Sequence, residues 1–134
     1  MKKILIVLSV FLLTGCFEDS GYITKSCTKS DSANTLNTNI TYTFKFKNDI
    51  IENLEIVYDY NDSDKVTINS IKMSEETQNK YLNLDYEVLS NTDNEYKIKY
   101  NIDLNSNDLP DKFIVNKSRT KLVNKLKDEG FNCE

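Results

Sequence analysis

Three cysteines, Cys16, Cys27 and Cys133, and two acidic runs, DYNDSD at 59–64 and SEE at 74–76, are the residues whose types could carry chemistry. What is missing narrows that chemistry first. The chain has no histidine, so a Ser/His or Cys/His nucleophile has no base, and zinc held by imidazole has no ligand. Three glycines, none in a glycine-rich stretch, leave no loop that cradles phosphate. Paired carboxylates remain available for glycoside hydrolysis, which needs two acids about 5–9.5 Å apart. Both acidic runs fall where a turn and a helix start are expected, and Asp and Glu serve there as caps and complements to the helix dipole. Asp59, Asp62 and Asp64 have a spacing that faintly matches a calcium loop, without the central glycine and closing glutamate of an EF-hand. A solvated turn is the expectation, with no metal and no cofactor assigned.

Cys16 ends the stretch MKKILIVLSVFLLTGC. Lys2 and Lys3 make a short basic start, and residues 4–13 form an apolar run of about ten residues. That length fits a secretory leader, whereas a helix crossing a bilayer needs about 20. Leu13-Thr14-Gly15-Cys16 resembles the lipobox of bacterial lipoproteins, which implies a diacylglyceryl group on Cys16 Sγ and cleavage that leaves Cys16 first in the mature chain. A plain signal peptide with an incidental cysteine is the alternative. Each buried methylene is worth about 0.8 kcal/mol, so two or three acyl chains on one cysteine would anchor the domain stably. Residues 1–15 are thus expected as a lipoprotein signal peptide, 16–21 as a short tether and 22–134 as a single domain. Only FEDSG separates Cys16 from the first strand-like residues, a reach of under about 20 Å at ~3.5 Å per residue.

Removing 15 of the 134 residues leaves 119, the size of one domain with one core. Losing Lys2 and Lys3 takes the net charge from −4 to −6, because the leader holds no acid. An acidic body argues against nucleic acid, whose binding rests on clustered cations, and against docking by a basic patch on anionic lipid. The expected location is the outward face of a bacterial membrane or envelope, with the membrane as partner through the lipid on Cys16.

Cys27 and Cys133 are left as an even pair in a compartment where disulfides persist. A bridge between them would close a loop of about 106 residues, for which chain-entropy models give roughly 4–5 kcal/mol. A redox pair normally sits two residues apart beside a helix start, and this one does not. A structural bridge from the first strand to the C-terminal tail is therefore expected.

The elements that must position these residues are written in period two. Ile40, Tyr42, Phe44 and Phe46 alternate with Thr41, Thr43, Lys45 and Lys47. Asn48-Asp49 marks a turn, after which Leu54, Ile56, Tyr58 and Tyr60 share one parity. A second hairpin follows, with Tyr86 and Val88, a turn at 91–94, then Tyr96, Ile98, Tyr100, Ile102 and Leu104. Residues 22–29 make an opening strand that holds Cys27. The tyrosines keep the parity of Ile, Leu and Phe, which puts them in a core with hydroxyls at its rim rather than on a sugar-stacking platform. A C-terminal helix carries Leu122, Val123 and Leu126 and stops at Gly130, leaving Phe131 and Cys133 in an extended tail. A looser helix lies between Ser63 and Asn83 on Val66, Ile71, Tyr81 and Leu82, or starts only at Ser74. The fold expected is α+β, an antiparallel sheet of about five strands with two helices on one face, in the order β-β-β-α-β-β-α.

The lipobox, CTKS in the first strand, the hairpin YTFKFKNDIIENLEIVYDY and the terminal LKDEGFNC together resemble the YehR-like family of small bacterial lipoproteins. The resemblance implies an α+β domain with helices against an antiparallel sheet, and it carries over no catalytic or ligand residues. The function expected is a non-enzymatic, lipid-anchored binding or envelope-support module whose protein, glycan or small-molecule partner the sequence leaves open. A pocket with convergent polar groups would favour it. An exposed apolar patch without a pocket would favour a surface protein that blocks an incoming factor. A carboxylate hydrolase is the third alternative.

Overall fold

Alternating apolar and polar residues in 36–47 and 50–61 cannot bury one side of a helix, but they bury one side of a strand completely. In the computed structural model, which describes residues 21–134, they form the centre of a sheet. Its strands are β1 (Ile23–Ala33), β2 (Leu36–Lys47), β3 (Ile50–Asn61), β4 (Glu87–Asn91), β5 (Glu95–Ile102) and β6 (Asn132–Cys133). They lie in the order β4-β5-β3-β2-β1-β6, every neighbouring pair antiparallel. Two helices, α1 (Lys65–Tyr81) and α2 (Arg119–Asp128), complete the α+β fold. No helix among the described residues is long and apolar enough to cross a membrane. Cys16 and its lipobox lie outside the described residues.

Tight turns set the sheet. Asn34 and Asn48 take positive φ (57° and 56°) in the β1–β2 and β2–β3 connections, a conformation that asparagine tolerates better than most residues. Where β2 meets β3 the register shifts, Lys45 facing Asn53 but Phe46 facing Ile51. Glu52 is the extra residue, and the bulge changes parity so that Ile51 joins Leu54 and Ile56 in the core. Tyr42, Phe44, Phe46, Tyr96, Ile98 and Tyr100 fill the same buried face. Both helices pack there. Tyr60 and Tyr100 reach Glu75 of α1, while Tyr42 meets Phe131 just beyond α2 edge-on at 5.3 Å.

Three expectations are corrected. The sheet has six strands rather than about five, because the tail after α2 pairs with β1 as a short sixth strand, Cys27 opposite Cys133. The element order therefore ends in β rather than α. The central helix runs Lys65–Tyr81, inside the expected span of Ser63 to Asn83, but its buried face differs, since the Asp64 side chain accepts from the Val66 N–H and sets where the first turn begins. That start fixes the phase, so Val66, Tyr81 and Leu82 are exposed while Ile68 and the polar Asn79 are buried. Val88, expected to be buried with Tyr86, lies opposite the buried Ile98 but is itself 46 % exposed, because β4 is an edge strand with nothing beyond it to cover that side chain.

Candidate functional site

Residues 103–117 join β5 to α2 without a helix or strand of their own, a length at which connections in compact domains are usually functional or disordered. This one is held at many points. Leu104 is buried, and the Phe113 ring packs against Tyr100 at 4.6 Å between centroids. The Ile114 N–H donates to Tyr42 Oη at 3.2 Å, and the Lys117 carbonyl accepts from the Ile51 N–H at 2.8 Å.

The strongest hold is Lys112. Its ammonium, with a side chain only 9 % exposed, donates to Glu75 Oε2 at 2.6 Å, Asn79 Oδ1 at 3.1 Å and Tyr100 Oη at 3.0 Å. It also lies 5.0 Å from the Tyr100 ring centre, a cation–π distance. Tyr60 donates to the other Glu75 oxygen at 2.9 Å. The Tyr100 hydroxyl, with one proton, is shared between Glu75 Oε2 and Asn79 Oδ1. Burial above all, then the Glu75 charge, pushes the Tyr60 and Tyr100 phenols far above their usual range, so both remain donors. Within this network, Asn79 Nδ2 is left buried without a hydrogen-bond partner. With donors on both oxygens, the Glu75 carboxyl is engaged in holding the network together.

The network pins Lys112, and the residues beside it wall a cleft of about 460 Å³. Leu109, Pro110, Phe113, Ile114 and Val115 supply apolar surface, and Asp111, Lys125, Asp128 and Glu129 supply charge. Small-ligand sites run about 300–1,000 Å³ with apolar walls and a few placed polar groups. Three acids against one lysine make the rim negative. Asp128 and Glu129 end α2, where the helix dipole is also negative. The cleft is thus set for an apolar body bearing a positive charge.

The residues singled out from sequence go elsewhere. Cys27 and Cys133 are disulfide-bonded, their Cα atoms 4.0 Å apart. Cys133 also lines a small hollow with Lys127 of its own stretch and with Lys25 and Arg119 brought from elsewhere. Asp59, Asp62 and Asp64 do not converge. Asp59 pairs with Lys97 at 3.4 Å, Asp64 caps α1, and Asp62 is buried rather than solvated, accepting from Thr35 Oγ1 and the Asp64 N–H. No group of three or more Cys, Asp or Glu among the described residues is placed to hold a metal ion. In the second acidic run Glu75 turns inward at mid-helix, not at a helix start. Sequence reasoning passed over Lys112 and the cleft. The available signal was Phe-Ile-Val at 113–115 beside the only proline, an apolar run that fits no strand or helix period.

No family model and no curated protein matches the chain. Among solved structures, the NMR structure of a protein from Streptococcus pneumoniae TIGR4 is similar at 13 % identity and a TM-score of 0.46, over 84 % of this chain and 85 % of that one.

Proposed function

We propose that this chain is a non-enzymatic, lipid-anchored binding module of the bacterial cell envelope, tethered through Cys16 and facing outward. Its cleft between residues 109–115 and the end of α2 takes an apolar group that carries a positive charge. The observation that carries this is the pairing of an apolar wall with Asp111, Asp128 and Glu129 at a helix C-terminus. The resemblance to the YehR-like lipoproteins belongs to the same proposal and agrees with the anchor. An amide-resolved NMR titration with phenethylamine and with phenylpropionate tests it. The amine is expected to shift the amides of Phe113, Val115 and Glu129, and the carboxylate to leave them in place. Equal shifts with both, or none with either, overturn the assignment.

A second reading, a surface that blocks an incoming factor, has its own observation. Val66, Met73 and Tyr81 are exposed along α1. Ser70 and Thr77 turn their hydroxyls back to the carbonyls of Val66 and Met73. The helix thus presents an apolar stripe to solvent. A photocrosslinker at position 73 that traps an envelope protein, while one at 115 traps none, would favour it.

A further inference from the structure

The register brings three segments to one end of the sheet. Ile23 faces Phe46, Lys47 faces Ile50, and Ile50 bridges to Ser118 at the start of α2. Segments 22–25, 45–52 and 117–121 hold Lys25, Lys45, Lys47, Lys117, Arg119 and Lys121 against only Asp49 and Glu52. Six cations less two acids leave +4, within a body whose net charge is −6 without Lys2 and Lys3. Both acids are engaged locally. Asp49 accepts from Ser118 and Thr120 and pairs with Arg119, and Glu52 accepts from the Tyr22 hydroxyl. Five of the six cations are exposed lysines, on both sides of the sheet, and the sixth, Arg119, is half-buried over Phe46. Between them Ile23 and Ile50 are 55 % and 64 % exposed. The opposite end of the sheet carries Asp31, Asp62, Asp64 and Asp93 near its turns. Cations are therefore concentrated at one end of the strands, where Glu55 beside Lys45 and Asp103 after β5 lower the excess, and acids at the other, where Lys29 and Lys65 do the same.

We infer that the basic end is a docking face for an anionic lipid surface, with Ile23 and Ile50 entering the headgroup layer. This deepens the anchored reading and rests on it, since the same end is where the tether enters. Five residues, 17–21, lie between Cys16 and Tyr22, so the face stays within about 20 Å of the lipid attachment. Attraction between a basic segment and an anionic leaflet falls off within a Debye length, about 8 Å at physiological salt. The short tether keeps the basic end close enough to enter the layer where that attraction acts, and the acidic end is repelled from it. The consequence is a fixed orientation, with the cleft and the apolar stripe of α1 presented at a set height over the bilayer.

The test uses the full lipidated protein, mixed with vesicles of phosphatidylcholine alone and of phosphatidylcholine with phosphatidylglycerol, followed by flotation and by mapping of lysine acylation. The expected result is flotation with both, and a several-fold loss of reactivity at Lys25, Lys45, Lys47, Lys117 and Lys121 only where phosphatidylglycerol is present. Lys65 and Lys80 should stay reactive and high salt should restore the rest. In Lys45→Gln/Lys47→Gln, checked for an unchanged circular dichroism spectrum, protection at the other three should weaken by about fivefold for each lysine removed. Flotation with both vesicles but no difference in acylation overturns the docking face and leaves the anchor standing. Flotation only with phosphatidylglycerol upholds the face and overturns the anchor. Flotation with neither overturns both.

Discussion

At the scale of single residues, Lys112 and Asp49 hold parts of the chain that are far apart in sequence. Lys112 and Glu75 are an ion pair with side chains 9 % and 14 % exposed, and such a pair is costly to break from one side, because the remaining charge stays buried. Lys112→Met is expected to lower stability by about 3–5 kcal/mol. Lys112→Met/Glu75→Gln should recover much of that loss, since no lone charge remains. Urea denaturation of the two variants checks it, and an equal loss in both would show that charge is not what binds the loop. Asp49 reaches from the β2–β3 turn to the first turn of α2, accepting from the Thr120 N–H at 2.9 Å and from the hydroxyls of Ser118 and Thr120. Those hydrogen bonds, first that from Ser118, hold its carboxyl well below the usual carboxylate range. A depressed folded-state value means a contribution that is complete above the unfolded value of about 3.9 and lost as pH falls below it. Thermal melts from neutral pH downward should therefore fall less steeply below about pH 4 in Asp49→Asn than in wild type.

At the scale of elements, the sheet follows from its alternation, while α1 does not follow from a stripe. Ile68 and Ile71 are its main apolar contacts with the core, and Glu75 and Asn79, one and two turns on, continue that face as polar groups paired with Tyr60, Tyr100 and Lys112. A helix that docks partly by hydrogen bonds leaves a weak periodic signal, so Val66, Tyr81 and Leu82 suggest the wrong face. The phase was decided by the Asp64 cap and the partners across the interface. β6 has a different cause. Two residues are too short to show period two, and pairing is set by the disulfide to Cys27 and the Glu134 N–H to the Ser26 carbonyl. Cys27→Ser/Cys133→Ser is expected to lose about 2–5 kcal/mol, as small secreted domains do without a native disulfide. Hydrogen exchange should show α2 and β6 losing protection before β2 and β3. Uniform loss would mean that the bridge stabilises the sheet as a whole rather than the C-terminal unit.

At the scale of the whole molecule, the proposal joins charge to attachment. Net charge averages the two ends of the strands, so an acidic total conceals the cluster of cations that the register assembles at one of them. The anchor itself is tested in cells. Cys16→Ser should remove incorporation of a fatty-acid analogue and leave the leader uncleaved by the lipoprotein-specific peptidase. Absence of label on the wild-type protein would refute the anchor.

What the sequence determined by itself was whatever local repetition or pairing of types encodes: the strands of β2, β3 and β5, the C-terminal helix with its stop at Gly130 (φ 91°), the inward tyrosines and the partnership of Cys27 with Cys133. Period two and capping act over a few residues, so neighbours suffice to read them. The cleft, the Lys112 network, the Asp49 cap and the basic end were decided only in three dimensions. Each joins groups many residues apart, 37 between Glu75 and Lys112 and 71 between Asp49 and Thr120. Their energies depend on distance and burial, which a sequence read locally does not contain.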